Sequence, residues 1–227
     1  MSETITKLHV GCGNTRLDGF VNVDFKESAA TDIVHDCSDL SFFAPGSFNI
    51  VFAHSFFEHL RHDAMLGFLK SCLRTIMPGG TVLLMGIPNF KVVAEAYLKG
   101  QDIRNGAVFD LEEASRFTHA PWVGMKDLSS DELWGKTHKS LLDPEELKRL
   151  TGLAGFQSVM IFGYIYPGEL LRLNMGIMAS NAYEITKKNL ENAIKGLGIV
   201  DMDSVKVYHS CEAFKWKEKG RNKKSEI

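Results

Sequence analysis

The sequence predicts an α/β fold, a mostly parallel sheet flanked by helices, from three observations. Strand and helix signals alternate from the start, as crossover connections require. A short apolar strand runs directly into the glycine turn Gly11-Cys12-Gly13. Two nearly continuous apolar runs, Phe48–His54 and residues 81–87, enclose an amphipathic segment, the pattern of strands buried on both faces and joined by a helix.

Lys7–Val10 is the first strand, residues 20–24 the second, and residues 33–36 a very short third. Phe48–His54 is the fourth. In the helix that follows, Met65, Phe68, Leu69, Cys72, Leu73 and Ile76 recur at three- and four-residue steps, with Lys70 and Arg74 opposite. Pro78-Gly79-Gly80 is its expected stop, because proline cannot continue a helix and glycine tolerates the reversal. Residues 81–87 are the next buried strand.

Periodicity is weak over 88–140, which is broken by Pro88, Gly100, Gly106, Pro121, Gly124 and Gly135; residues 97–140 read as an inserted lid or binding loop. A helix restarts at Asp143-Pro144-Glu145-Glu146, with an acidic cap, proline at the first position and glutamate three residues on. Leu147, Leu150 and Leu153 form its apolar side and Gly155 its end. Residues 156–163 are a strand. Residues 166–203 are expected to be a helical insertion, with a helix near 179–197 carrying Tyr183, Leu190, Ala193, Ile194 and Leu197 in phase. Val205, Val207, Cys211 and Ala213 then alternate with polar residues, a half-exposed last strand.

A chain of 227 residues, 44% hydrophobic and 24% charged, suits a single globular domain. The four cysteines, Cys12, Cys37, Cys72 and Cys211, show no ligand spacing, so neither a disulfide framework nor a bound metal is expected. A net charge of -2 gives no drive toward nucleic acid, and none is expected as a partner. No apolar run is long enough to span a membrane and the first residues lack a signal peptide's apolar stretch, so a cytoplasmic location is expected. Lys215, Lys217, Lys219, Arg221, Lys223 and Lys224 make a basic C-terminal end, with 218–227 a flexible tail. It reads either as a solvated end or as a phosphate-binding arm.

A strand running into Gly-x-Gly brings backbone close to a ligand at the carboxyl end of a sheet. A dinucleotide site would carry a third glycine where this chain has Arg16, and a ribose-binding acid about 20 residues past the loop. Asp24 lies only 11 residues past Gly13, so the first crossover is too short for a full helix. A nicotinamide oxidoreductase is therefore disfavoured, and a nucleoside-like ligand without a pyrophosphate fits better.

The blocks HVGCGNTRLDGFVNVDF, HDCSDL (35–40), SFNIVFAHSFFEHL (47–60) and LRTIMPGGTVLLMGIPNF (73–90) stand in one order, and residues 7–88 resemble class I S-adenosylmethionine-dependent methyltransferases. The nearer likeness is to a bacterial group, methyltransferase type 11-like, with GCG followed by G-aromatic-x-N-V-D. The resemblance implies a Rossmann-like, seven-stranded, mostly parallel sheet with an antiparallel last strand. S-adenosylmethionine is the implied cofactor and S-adenosylhomocysteine its product. Gly11, Cys12, Gly13 and Asn14 would form the loop beside the methionine part, and Asp24 would receive the ribose hydroxyls. Asp36, with Cys37 and Ser38, would line the adenine, and His54 would sit beside the amino-acid end. Each has a structural alternative as turn, cap or strand-end residue. His9 and Thr15 depart from the group, which carries an acid and a small residue at those places.

An alcohol acceptor benefits from a base that takes its proton as the new bond forms. Glu58 and His59 in FFEHL, and His138 in GKTHKS, are the candidates, with His119 beside them; a structural hydrogen bond is the alternative for each histidine. Phe109, Phe117, Trp122 and Trp134 would stack on a sugar or form a lid's small core. The resemblance points to O-methylation of a sugar, a polysaccharide precursor or a small metabolite, with a small-molecule or saccharide acceptor as partner and a homodimer left open. The competing class is a non-catalytic regulatory or scaffolding protein that binds the same cofactor.

Overall fold

In the computed structural model, residues 7–103, 105–106, 108–119, 135–182, 184–195, 197, 200 and 202–212 are described. Eight strands form one sheet: β1 (Lys7–Val10), β2 (Val21–Asp24), β3 (Ile33–Val34), β4 (Phe48–His54), β5 (Ile76–Pro88), β6 (Ser158–Tyr164), β7 (Asn174–Ser180) and β8 (Lys206–Glu212). Their order is β3-β2-β1-β4-β5-β7-β6-β8. Pairing is parallel from β3 to β5, and β7 and β8 run antiparallel to their neighbours. The fold is the α/β class expected, with one strand more than seven.

The extra strand corrects the reading of 166–203. That stretch opens with β7, hydrogen-bonded between β5 and β6, and its helix spans only Lys187–Lys195. Every residue of NMGIMAS in β7 is buried. Such a run carries no period, so sequence alone cannot tell it from a buried helix. The antiparallel strand expected last is present as β8, at the sheet edge beside β6.

Side chains alternate across the sheet into two cores. Val51 and Ala53 of β4, Val82 and Leu84 of β5, and Ile177 of β7 enter one cluster; Phe52, Leu83, Met85 and Met178 enter the other. The first core is closed by α1 (His62–Thr75), which buries Met65, Phe68, Leu69 and Cys72. Helix α1 stops at Thr75, ahead of Pro78, because the residue before a proline is driven extended and the chain enters β5 at once.

Two helices, α2 (Phe90–Lys99) and α3 (Leu111–Thr118), belong to the poorly periodic stretch and share a third small core of Val93, Ala96, Ile103, Phe109 and Leu173. Phe117 packs on it with its ring 5.7 Å from that of Phe109. Trp122, Trp134 and the basic tail lie outside the described residues. Helix α4 (Pro144–Ala154) follows the predicted signals: Asp143 accepts the Glu146 N–H at 2.8 Å and Gly155 ends it at φ 96°. The Glu146 carboxylate turns instead to His62 at 2.7 Å and to Arg149. Helix α5 (Lys187–Lys195) buries Leu190 and Ile194 against the second core. No described helix is long and apolar enough to cross a membrane.

Candidate functional site

Strand register sets Val23, Val10, Ala53 and Leu84 side by side, so the carboxyl ends of β2, β1, β4 and β5 form one edge. The strand order reverses between β1 and β4, and in open α/β sheets ligands bind in the crevice at such a reversal. The turn after β1 lies on one side of it and the turn after β4 on the other.

On the first side the backbone N–H groups of Gly11 and Cys12 both donate to the Val23 carbonyl, at 2.9 and 3.1 Å. Gly11 has φ 67°, and a Cβ there would fall 2.5 Å from Cδ2 of Phe56. That glycine makes room for the protein's own Phe56 ring, which adds a constraint to the expected one of a backbone left open for a ligand. Gly13, at φ 55°, has open space where a Cβ would be, and its N–H donates to Asp24 Oδ2 at 2.8 Å. Lys26 N–H donates to Asp24 Oδ1 at 3.0 Å. The buried Asp24 carboxylate is thus fixed by one main-chain donor per oxygen, with acceptor capacity left over.

Asn14 is exposed on the same turn, while Cys12 is buried with Sγ 3.7 Å from Thr31 Oγ1. Beyond β3, exposed Asp36 accepts the Ser38 N–H at 2.8 Å, and Cys37 is buried beneath, its thiol pushed up to about 12 by burial. His9 is a core group: Nδ1 donates to Asn22 Oδ1 at 3.0 Å, the ring lies 5.3 Å from Phe52, and burial lowers its pKa.

On the other side lies a cavity of ≈ 530 Å³ lined by His54, Ser55, Glu58, His59 and His138, among others. Its floor is tightly built. Ser55 has φ 50°, in the left-handed region where non-glycine residues are uncommon. Opposite it Gly86, at φ 79°, leaves no space for a Cβ, which would meet Ser55 N at 2.6 Å. Ser55 N–H donates to Met85 O at 2.9 Å and Gly86 N–H to the buried Tyr164 hydroxyl at 2.7 Å.

Polar groups in this cavity are strongly perturbed. His54 Nε2 is buried without a hydrogen-bond partner, and burial, then repulsion from His9, brings the ring down to about 4. Glu58 sits on the single helical turn Phe57–His59 and is 1% exposed. Its Oε2 has no partner, and burial pushes the carboxyl up to about 8. His59 donates Nδ1–H to Thr137 O at 3.1 Å, and His138 donates Nδ1–H to Phe117 O at 3.0 Å. Their rings meet edge-on at 4.9 Å. Burial, then His138, brings His59 down to about 4, and burial lowers His138 too.

The end of the inserted stretch is stitched to this turn: Lys139 N–H donates to Glu58 O, Lys139 Nζ to His59 O and Ser140 Oγ to Leu60 O. The fold therefore brings together Glu58, His59 and His138, while His119 is exposed with Nδ1 2.8 Å from Thr118 Oγ1. Arg116, Lys136, Tyr166, Glu169 and Asn174 also line the cavity and escaped the sequence reading. They come from stretches without periodicity, and no local signal marks them.

Residues 8–84 match the family described as "Methyltransferase domain". No curated protein matches the chain. Among solved structures it is similar to a chain in the complex of the Haloferax volcanii Trm112 methyltransferase activator with a methyltransferase, at 12% identity and TM-score 0.50, over 80% of this chain and 84% of that one. An Archaeoglobus fulgidus S-adenosylmethionine-dependent methyltransferase aligns at 15% identity and TM-score 0.48, over 76% and 84%. One from Thermotoga maritima aligns at 13% and 0.49, over 77% and 81%. At such identity, likeness speaks to the fold alone.

Proposed function

We propose that the chain, whose residues 8–84 match a methyltransferase domain, is a class I S-adenosylmethionine-dependent methyltransferase that O-methylates a sugar, a polysaccharide precursor or another small hydroxylated metabolite held in the ≈ 530 Å³ cavity. The observation that carries this reading is the position of that cavity. It lies at the ends of β4 and β5, across the reversal in strand order from β1 and its Gly11–Gly13 turn, and buries polar atoms without partners, Glu58 Oε2 and His54 Nε2.

The residues fit the cofactor. Asp24, fixed by Gly13 and Lys26 N–H groups, keeps acceptor capacity for the ribose hydroxyls. Gly13 presents open space beside it, and the free Nε2 of His54 offers a contact for the amino-acid end. Asp36, Cys37 and Ser38 form the turn proposed to line the adenine, with Cys12 and Asn14 completing the loop around Gly11. When bound, S-adenosylmethionine supplies a methyl group already activated by a sulfonium.

What the protein adds is orientation. Holding donor and acceptor in line is worth about 7–11 kcal/mol of barrier in well-oriented systems. Glu58, His59 and His138 are proposed to receive the acceptor's hydroxyl, the two rings being held by main-chain carbonyls. Arg116, Lys136, Glu169 and Asn174 offer donors and acceptors to a polyol, and Phe117 and Tyr166 offer faces for its ring.

Incubation with methyl-labelled cofactor and a panel of sugars, nucleotide sugars and small metabolites tests the reading. Label is expected on a hydroxyl oxygen of one class. If the cofactor binds and no class is labelled, the chain is a cofactor-binding scaffold instead. Tighter binding of NAD than of S-adenosylhomocysteine would overturn the assignment altogether.

A further inference from the structure

We propose that Glu58, His59 and His138 form a divalent transition-metal site, one ligand atom from each, whose open positions face the cavity and bind the acceptor oxygen. The metal binding stands on geometry alone; the role in transfer rests on the methyltransferase reading above.

One ligand atom from each of the three residues lies within 4.8 Å of the others. Tetrahedral zinc bonds of about 2.0–2.1 Å set neighbouring ligands roughly 3.4 Å apart, so closure asks for side-chain movements of an ångström or so. The histidines are already prepared for the task. A carbonyl can only accept, so the contacts to Thr137 O and Phe117 O place the proton of each ring on Nδ1. Each Nε2 is left with its lone pair free to bind. Metal-binding histidines characteristically give their second ring N–H to a carbonyl or carboxylate, which fixes tautomer and ring direction.

The third ligand has an independent mark. Glu58 is 1% exposed and Oε2 has no partner, a buried acceptor left unsatisfied at a cost that a cation would remove. The main chain around it is fixed, since Lys139 N–H donates to Glu58 O and His138 N–H to His119 O. Two imidazoles and one carboxylate suit zinc and its first-row neighbours, whereas magnesium and calcium prefer oxygen throughout. Three protein ligands in a cavity wall leave a position for substrate, the pattern of catalytic zinc sites.

The chemistry follows. A hydroxyl held by a divalent ion loses its proton near neutral pH, as metal-bound water does. The proton passes to bulk water, and the oxygen forms its bond to the methyl carbon as the S–CH3 bond of the cofactor breaks, its electron pair staying on sulfur. No buried side chain then needs to act as a free base.

The test uses the full-length, tag-free chain, stripped with a chelator and titrated with Co2+ and Zn2+ by absorption spectroscopy and calorimetry. One ion per chain is expected, with the visible bands of four- or five-coordinate Co2+. Glu58→Gln and His138→Ala should each weaken binding roughly 100-fold or more, while His119→Ala leaves it unchanged. Retained S-adenosylhomocysteine binding identifies the variants that are folded. Failure of the folded wild type to take up either ion, or uptake that survives both substitutions, overturns the site. Stoichiometric uptake with transfer indifferent to chelation overturns its catalytic role. Stoichiometric uptake with no acceptor methylated by any route supports the site and counts against the O-methylation reading instead.

Discussion

At the end of β2 each oxygen of Asp24 receives a main-chain N–H, from Gly13 and from Lys26, whereas at the end of β4 Glu58 Oε2 and His54 Nε2 are buried with no partner. The first region is assembled from neighbours in sequence and is complete in itself. The second is assembled from segments that include 54–59, 86–88, 116–117, 136–138 and 166–174, and it leaves polar atoms unsatisfied. Pre-satisfied groups hold a shape that a ligand can use, and unsatisfied buried groups ask for a ligand. The two sides of the crevice thus contribute differently: one presents a rigid carboxylate, the other stores polar groups at a cost in stability.

The difference can be broken first through its glycines. Gly86→Ala should cost about 3–5 kcal/mol, because the new Cβ would meet Ser55 N at 2.6 Å with no room to shift. Urea denaturation would check it, and a loss below 1 kcal/mol would mean that the cavity floor is soft. Asp24→Ala removes a carboxylate that accepts two N–H groups and whose remaining capacity is proposed to receive the ribose hydroxyls. Affinity for S-adenosylhomocysteine should fall roughly 100-fold, about 2.7 kcal/mol, in calorimetry.

Acid should reveal the unsatisfied side. The pKa of His54 is about 4 in the fold against 6.5 unfolded, so its neutral form stabilises the fold above pH 6.5. That contribution, about 3 kcal/mol, is lost as pH falls from 6.5 through 4. His54→Gln should flatten the stability profile in that window, and an unchanged slope would show that the ring is solvated. The smallest effect is expected at Gly13. With open space at its Cβ position, Gly13→Ala pays only for its positive φ, about 1–2 kcal/mol, and thermal denaturation should place it well below Gly86→Ala.

Legibility in the sequence follows the same division. The strands up to 88, the helix over 62–75 and the cap at Asp143 are written in local patterns of apolar spacing, glycine and proline. Glu58, His59 and His138 were legible as residues but not as a cluster, because Thr137 and His59 are 78 positions apart and only the insertion's return brings them into contact. Strand β7 was misread because burial on both faces erases the period that distinguishes strand from helix. The Gly11 turn was located correctly, yet the close neighbour that excludes a Cβ is Phe56, in the turn after the adjacent strand.

The sequence by itself determined the alternation of strands and helices, the tight turn after β1 and the carboxylate at the end of β2, since each depends on contacts a few residues apart. The tertiary structure decided the order of the last strands, the floor made by Ser55 and Gly86, and the meeting of one carboxylate with two imidazoles. Those depend on which distant segments share buried volume, and a single side chain's chemistry does not encode its neighbour across the sheet.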